Sequence, residues 1–320
     1  MTYRSGFVGI VGRPNVGKST ILNYYLGEKI AIVSSKPQTT RQRILGVLTR
    51  PEAQVLFLDS PGLHKPEHVL GRYMVEVAKS VLEEADVIVA VIDGRVSLRP
   101  EDERVFDQTR QALEQRASSR QHRSALLAIN KVDAVKKPKL LPLLKACAQQ
   151  RLFDDCIPIS ALTGEQMPVL LDAIIAHLPE GPRWYDPEHH TDQPASFRIS
   201  ELIREQVLIA THQEVPHAVG VIVDQIEERP RVLAIHATIL VERDGQKAIV
   251  IGREGAMMKQ IGSAARQQIE RLLGKKVHLG LWVKVAENWR DNERVLRQLG
   301  LFRYVSEGKD VTIQDHGNPE

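Results

Sequence analysis

The chain is poor in cysteine, nearly balanced in charge and free of long hydrophobic runs. Its 320 residues include only two cysteines, Cys147 and Cys156. Their spacing fits no zinc or redox motif and suits buried thiols in a reducing cytosol. The formal net charge is +3 and the sequence pI about 8.8, so charge alone does not argue for nucleic acid; clustering would have to. The longest apolar stretches, such as residues 87–92, are strand-sized and too short to span a bilayer. The opening MTYRSGFVGIVG runs straight into a motif and leaves no room for a signal peptide, so a cytoplasmic location is expected. No internal repeat, low-complexity tract or clear dimer interface stands out, and the default is a monomer.

What is present is ordinary for soluble globular protein: 42% hydrophobic and 26% charged residues. The length suggests two domains. In the first half, short apolar runs at 7–11, 55–58, 87–92, 125–129 and 157–159 alternate with helix-period segments at 69–84, 101–115, 138–150 and 165–177. This pattern predicts an α/β domain, residues 1–178, with a doubly wound, mostly parallel sheet. Residues 43–49 precede 55–58 with no helix between them and read as an antiparallel hairpin. Residues 179–195, rich in Pro, Gly and polar side chains, form the linker.

Four motifs lie at strand ends, where open α/β sheets bind ligands. Gly12-Arg13-Pro14-Asn15-Val16-Gly17-Lys18-Ser19 matches GxxxxGK[ST] between a strand and a helix. Its backbone N–H groups and the helix N-terminus suit phosphates. Lys18 would reach the β- and γ-phosphates, and the Ser19 hydroxyl would serve Mg²⁺. Asp59-Ser60-Pro61-Gly62 reads as DxxG, with Asp59 holding Mg²⁺ and Gly62 presenting its N–H to the γ-phosphate; a strand-to-turn connection is the bland alternative. Asn130-Lys131-Val132-Asp133 reads as the guanine-selective NKxD. Asp133 only accepts hydrogen bonds, and guanine offers the two donors that adenine lacks. The Lys131 stem would cover the base, and Asn130 would bind N7 or brace the loop. Ser160 and Ala161 follow the last strand, the Ala161 N–H facing the guanine O6. Together these predict GTP/GDP and Mg²⁺ as ligands.

The residues expected to govern hydrolysis are Lys18, Thr40, Gly62 and Asn15. Thr40, with Thr39 as second choice, would close on Mg²⁺ when GTP is bound and release afterwards; a polar surface loop is the alternative. Leu63 stands where many small GTPases carry a water-orienting Gln, which predicts slow intrinsic turnover. Asn15 is either a K⁺ ligand or a loop cap.

The second half, residues 196–320, predicts a smaller α+β domain. A helix at 196–211 is followed by strands at 218–227 and 232–242, a hairpin signal at Asp244-Gly245, a short strand at 248–251, a long helix at 254–273, a strand at 276–285 and a last helix at 291–299. Gly252-Arg253-Glu254-Gly255 is a GxxG element of the kind that clamps an RNA backbone, or else a glycine-bearing helix start. Lys259, Arg266, Arg271, Lys275 and Lys276 could form a phosphate track. Met257, Ile261, Ala265, Ile269 and Leu272 lie at helical spacing and read as core, and Trp282 and Trp289 as packing residues.

The combination GRPNVGKS, QTTR, DSPG and NKVD with a C-terminal GREGAMMKQIG resembles the Era family, the bacterial ribosome-assembly GTPases with a KH-like (type II) domain. The likeness runs over nearly the whole chain. It implies that Gly252 to Gly255 bind the 3′ end of 16S ribosomal RNA, with Lys259 and Arg266 of the basic track beside them as candidate contacts, that GTP favours this binding and that RNA speeds hydrolysis. It implies a role in 30S subunit maturation and a peripheral fraction on the cytoplasmic face of the inner membrane. Two residues depart from the family pattern: Ser60 stands where Thr is common, and Glu254 puts a negative charge in the clamp. A membrane-associated signalling GTPase whose second domain binds a protein is the competing expectation.

Overall fold

The computed structural model describes residues 2–34, 36, 38–63, 66–117, 123–211 and 218–301. His64 and Pro37, the latter heading the PQTTR segment, lie outside them.

The first domain is built on a six-stranded sheet. Its strands are β1 (Arg4–Val11), β2 (Ile44–Thr49), β3 (Ala53–Asp59), β4 (Val87–Asp93), β5 (Ser124–Asn130) and β6 (Asp155–Pro158), in the order β2-β3-β1-β4-β5-β6. All neighbours are parallel except β2 and β3, which pair antiparallel from Ile44–Asp59 to Thr49–Gln54, as the missing helix predicted. Every residue of β3, β4 and β5 is buried, because helices cover both faces and leave no water-facing positions for polar residues. One face carries α1 (Lys18–Leu26) and α5 (Met167–His177); the other carries α2 (Val69–Glu84), α3 (Pro100–Ala117) and α4 (Leu141–Gln149).

The linker is docked rather than free. Ser5 Oγ donates to the Pro182 carbonyl (2.6 Å) and Gln54 Nε2 to that of Tyr185 (2.8 Å). Farther on, the Val47 N–H donates to the His190 carbonyl (2.9 Å), so the linker covers the outer edge of β2. An edge strand left open would present unpaired backbone groups to other chains.

The second domain contains α6 (Ala195–Ala210), β7 (Gly220–Arg229), β8 (Val232–Val241), α7 (Asp244–Ile251), α8 (Ala256–Leu273), β9 (Val277–Val285) and α9 (Glu293–Gln298). β7 and β8 are antiparallel, and β9 lies parallel to β8 on its other side. The helices bury one sheet face, where Ile261, Ala265 and Ile269 of α8 meet Ile235, Ala237 and Ile239 of β8; Met257 and Leu272 pack at the margin of this core.

Two expectations are corrected. Residues 244–251 form a helix, not a hairpin turn and strand. The Gln246 side chain accepts from the N–H groups of Glu242 (2.9 Å) and Arg243 (3.2 Å), which caps the first turn, and Val250 is drawn into the core. A parallel β8–β9 pair also requires a crossover, which α7 and α8 supply. Trp289 is fully buried as expected, but Trp282 is 54% exposed on the uncovered sheet face, beside His236. Among the described residues, no helix is long and apolar enough to cross a membrane.

Candidate functional site: a phosphate and guanine pocket with an RNA-type groove

The strand ends bring the four motifs to one rim. At the first position of α1, Lys18 is 6% exposed and its Nζ donates back to the loop carbonyls of Gly12 (3.1 Å) and Arg13 (3.2 Å). Burial lowers its pKa to about 8; Asp59 opposes this and Arg13 adds to it. Gly17 has φ 104°, and a Cβ there would meet the Asn130 side-chain nitrogen at 2.2 Å, so glycine is required by backbone angle and by space. Asn130 Nδ2 in turn donates to the Val16 carbonyl (2.8 Å).

Three oxygen-bearing side chains converge beside Lys18. Ser19 Oγ donates to Asp59 Oδ2 (2.6 Å) and lies 3.0 Å from Thr40 Oγ1, which itself donates to Asp59 Oδ2 (3.4 Å). Asp59 Oδ1 is buried without a hydrogen-bond partner, and burial raises the Asp59 pKa against the favourable effects of Lys18, Ser19 and Thr40. A buried carboxylate oxygen left unpaired beside two hydroxyls fits a small divalent cation that prefers oxygen ligands. Of the two threonines, Thr40 faces this cluster, whereas Thr39 Oγ1 is used locally on the Lys36 carbonyl (2.7 Å).

Ser60 is fully buried and its Oγ donates to the Ile10 carbonyl (2.9 Å), so it braces β1 and does not face the pocket. Gly62 lies against Pro14: a Cβ would come within 2.7 Å of the Pro14 nitrogen. Leu63 turns into the core at 6% exposure, which removes its side chain from the pocket. Asn15 is exposed at the pocket mouth with φ 63°.

Around the Asn130–Asp133 motif, Asn130 Oδ1 accepts from the N–H groups of Lys131 (2.8 Å) and Ala161 (3.0 Å). Asn130 therefore braces three loops, and the Ala161 N–H is directed at Asn130, not free for O6. Ser160 Oγ holds Asp133 Oδ1 (2.6 Å), fixing an exposed carboxylate. Lys131 Nζ reaches the Asn15 carbonyl and Asp93 Oδ2 (2.9 Å), which stretches its stem across the pocket.

Asp93 belongs to none of the four motifs. It also takes a bidentate contact from Arg95 (3.0 and 2.8 Å). Burial opposes its charge, but the Arg95 and Lys131 hydrogen bonds prevail and hold the carboxyl well below the usual range. Its position at the C-terminal end of β4 was the available signal.

In the second domain the GxxG element joins α7 to α8. Gly252 has φ 72° and ψ 173°, and Glu254 and Gly255 are left-handed. Gly255, Lys259 and Arg266 line a groove of about 620 Å³ whose other wall is His278, Leu279 and Leu281 of β9. That strand wall carries no signal in the sequence, since only the β8–β9 pairing brings it to α8. The suggested basic track is partly spent: Lys275 pairs with Glu228 (2.6 Å), and Lys276 lies 3.8 Å from Glu270.

Comparison with known proteins agrees with both halves. Residues 7–131 match the family described as 50S ribosome-binding GTPase, and residues 214–290 match the KH domain family. The chain is 44% identical over 301 residues to the GTPase Era of Staphylococcus haemolyticus, covering 94% of this chain and 98% of that one. It is 46% identical over 301 residues to the GTPase Era of Leuconostoc citreum, covering 93% and 97%. Among solved structures it resembles Era in complex with MgGDPNP and nucleotides 1506–1542 of 16S ribosomal RNA, with TM-score 0.88, 39% identity, and coverage of 93% of this chain and 99% of that one. A variant of Aquifex aeolicus Era bound to GDP.AlF4- gives the same TM-score, identity and coverage. Identity of this order across both domains is decisive: the chain belongs to the Era family of GTPases, with an N-terminal GTPase domain and a C-terminal KH domain.

Proposed function

We propose that this chain is a GTP-driven switch that binds the 3′ end of 16S ribosomal RNA through its KH groove during 30S subunit assembly. The observation that carries the switch reading is the convergence of Ser19, Thr40 and Asp59 around one unpaired carboxylate oxygen. The RNA reading is supported by the GxxG groove and by the relative solved with 16S ribosomal RNA.

Residues 12–19 cradle the phosphates, with Lys18 on the β- and γ-phosphates. Mg²⁺ supplies charge neutralisation there when bound, held by Ser19 and Asp59, with Thr40 as the closing residue. Gly62 offers its N–H to the γ-phosphate, and Asp133 and Lys131 read and cover the guanine. Phosphoryl transfer depends on positioning and electrostatics more than on covalent help. With Leu63 buried, no side chain directly after Gly62 orients water, so turnover is slow until RNA and K⁺ contribute, the latter beside Asn15. Gly252 to Gly255 hold the RNA backbone, and Lys259 and Arg266 its phosphates.

Steady-state GTP hydrolysis tests this, with and without an oligonucleotide copying the 16S 3′ end and with a scrambled control. Stimulation by the true sequence alone is expected; equal rates with both RNAs would refute the reading. K⁺ accelerates turnover over Na⁺, and Asn15→Ala removes the difference; equal rates in the two salts reject the cation role. A peripheral inner-membrane fraction belongs to the proposal through family resemblance, and a monomeric state as the default in the absence of a clear dimer interface in the sequence. Native mass and vesicle flotation test them.

A further inference from the structure

The switch segment around Thr40 is gripped from the second domain. Arg204, on α6 and 2% exposed, crosses to the first domain, where its Nη2 donates to the Thr39 carbonyl. Its Nε is held by Glu201 (2.7 Å). Arg41, 7% exposed, crosses the other way: its Nη1 donates to the Val219 carbonyl (2.7 Å), and its guanidinium lies over the Trp289 ring, 5.4 Å from the centroid. Trp289 is itself fixed by Nε1 donating to the Ala218 carbonyl (3.0 Å). Two buried arginines, one from each domain, thus flank Thr40 on both sides. Upstream, the Val33 N–H donates to Glu205 Oε1 (2.9 Å).

We propose that Arg41 and Arg204 are positioning residues that hold Thr40 over the Ser19–Asp59 cluster, so that the KH domain itself sets how tightly the switch closes. This rests on the reading of Thr40 as the closing residue. A guanidinium stripped of water is costly to leave unpaired, so residues 39 and 41 do not withdraw without breaking these contacts or carrying the second domain along. The Thr40 hydroxyl sits between two such anchors, within hydrogen-bond reach of Ser19 and Asp59. Opening of the Thr40 segment and movement of the KH domain are therefore one event. By linkage, whatever the γ-phosphate does to RNA affinity, RNA does equally to affinity for the γ-phosphate.

The test uses the full chain with Arg204→Gln, Arg41→Gln and both together. Two quantities are read: the Mg²⁺ concentration needed for a non-hydrolysable GTP analogue to bind, and the ratio of 16S 3′-end RNA affinities with analogue and with GDP. Each single variant is expected to raise the Mg²⁺ requirement at least tenfold and to move the RNA ratio toward one. GDP affinity, which does not use Thr40, stays within twofold. The double variant should be no worse than the stronger single one, because the residues act as a unit. Where a Gln variant fails to fold, Arg204→Lys carries the test: it keeps a charge beside Glu201 but lacks the fork that spans Glu201 and Thr39. A wild-type Mg²⁺ requirement in both single variants overturns the proposal, as does equal weakening of GDP and analogue, which marks mere structural damage. If the wild-type protein binds no such RNA, the functional reading fails, and the Mg²⁺ titration still decides the role of the arginines.

Discussion

Replacing each glycine of the GxxG element by alanine separates a conformational requirement from a spatial one. Gly252 sits at φ 72°, ψ 173°, a region essentially closed to residues with a Cβ and costing about 1–3 kcal/mol when imposed. A Cβ at Gly252 would also lie 2.6 Å from the Met257 Cβ and 2.8 Å from its backbone nitrogen, in the first turn of α8. Gly255 has φ 77° and ψ 9°, ordinary left-handed backbone, and no atom within 4 Å of the added carbon; there the cost is about 1–2 kcal/mol. If the loop keeps its shape, the Gly252→Ala strain appears as lost stability of the KH domain. If the loop relaxes, RNA must restore its shape and the same cost appears in affinity, about 5- to 150-fold at 1.4 kcal/mol per factor of ten. Fluorescence anisotropy on the RNA together with thermal unfolding captures both routes. Gly252→Ala should lose clearly more, summed over the two readouts, than Gly255→Ala, with GDP affinity untouched. An equal or larger loss for Gly255→Ala would show that the clamp needs open space at its second glycine more than the special backbone at its first, and the reasoning fails.

Lys18 makes GDP binding pH-dependent. Free, its ammonium titrates near pH 8 because burial disfavours the charge; a bound phosphate favours the charge and raises that pKa. Affinity is therefore complete below pH 8 and falls above it, by up to about tenfold per pH unit. Lys18→Met should bind more weakly and lose this slope between about pH 7.5 and 8.5, below the range in which the guanine N1–H itself ionises, and an unchanged slope refutes the assignment. Asp93→Asn should loosen Lys131 and weaken GDP binding about tenfold or more, from the roughly 1.5–3 kcal/mol of one hydrogen bond to a charged group, while Arg95→Ala should do less because Arg95 does not touch the pocket lysine; calorimetric titration distinguishes them. Asp133→Asn should cost GDP roughly a hundredfold or more and favour xanthosine diphosphate, whose C2 carbonyl accepts from an amide; unaltered base preference would remove Asp133 from the reader.

The convergence of the four motifs on one rim was legible in the sequence because they are short, ordered and placed at strand ends. Gly12 through Ser19, Asp59, Gly62 and Asp133 needed no tertiary information. The antiparallel β2 followed from the missing helix alone. What escaped were residues whose roles depend on distant partners. Asp93 lies 38 positions from Lys131 in sequence, yet their side chains meet at 2.9 Å, and Arg41 reads as a loop residue until Trp289 is placed beneath it. Asp244-Gly245 misled because the dipeptide favours turns locally, while Gln246 capping and a buried Val250 select helix. Trp282 misled because an aromatic in a strand is equally at home on either face until the helices are assigned to one.

The covering of β2 by the linker has a consequence for how the chain is made. Synthesis delivers β2 long before its cover: 141 residues separate Thr49 from His190, whose carbonyl receives the Val47 N–H. At about 5–20 residues per second this interval lasts about 7–30 s. During it the nascent first domain carries an open strand edge and an uncovered apolar stripe of Leu70, Tyr73 and Met74, later buried with Trp289 and Leu296. Slow-codon pausing between residues 50 and 190 would lengthen this exposure, whereas a pause late enough for residue 193 to have cleared the ribosome would leave the edge already sealed. The linker, arriving after every strand of the sheet it covers, closes the edge of β2 only once the rest of the first domain has been made.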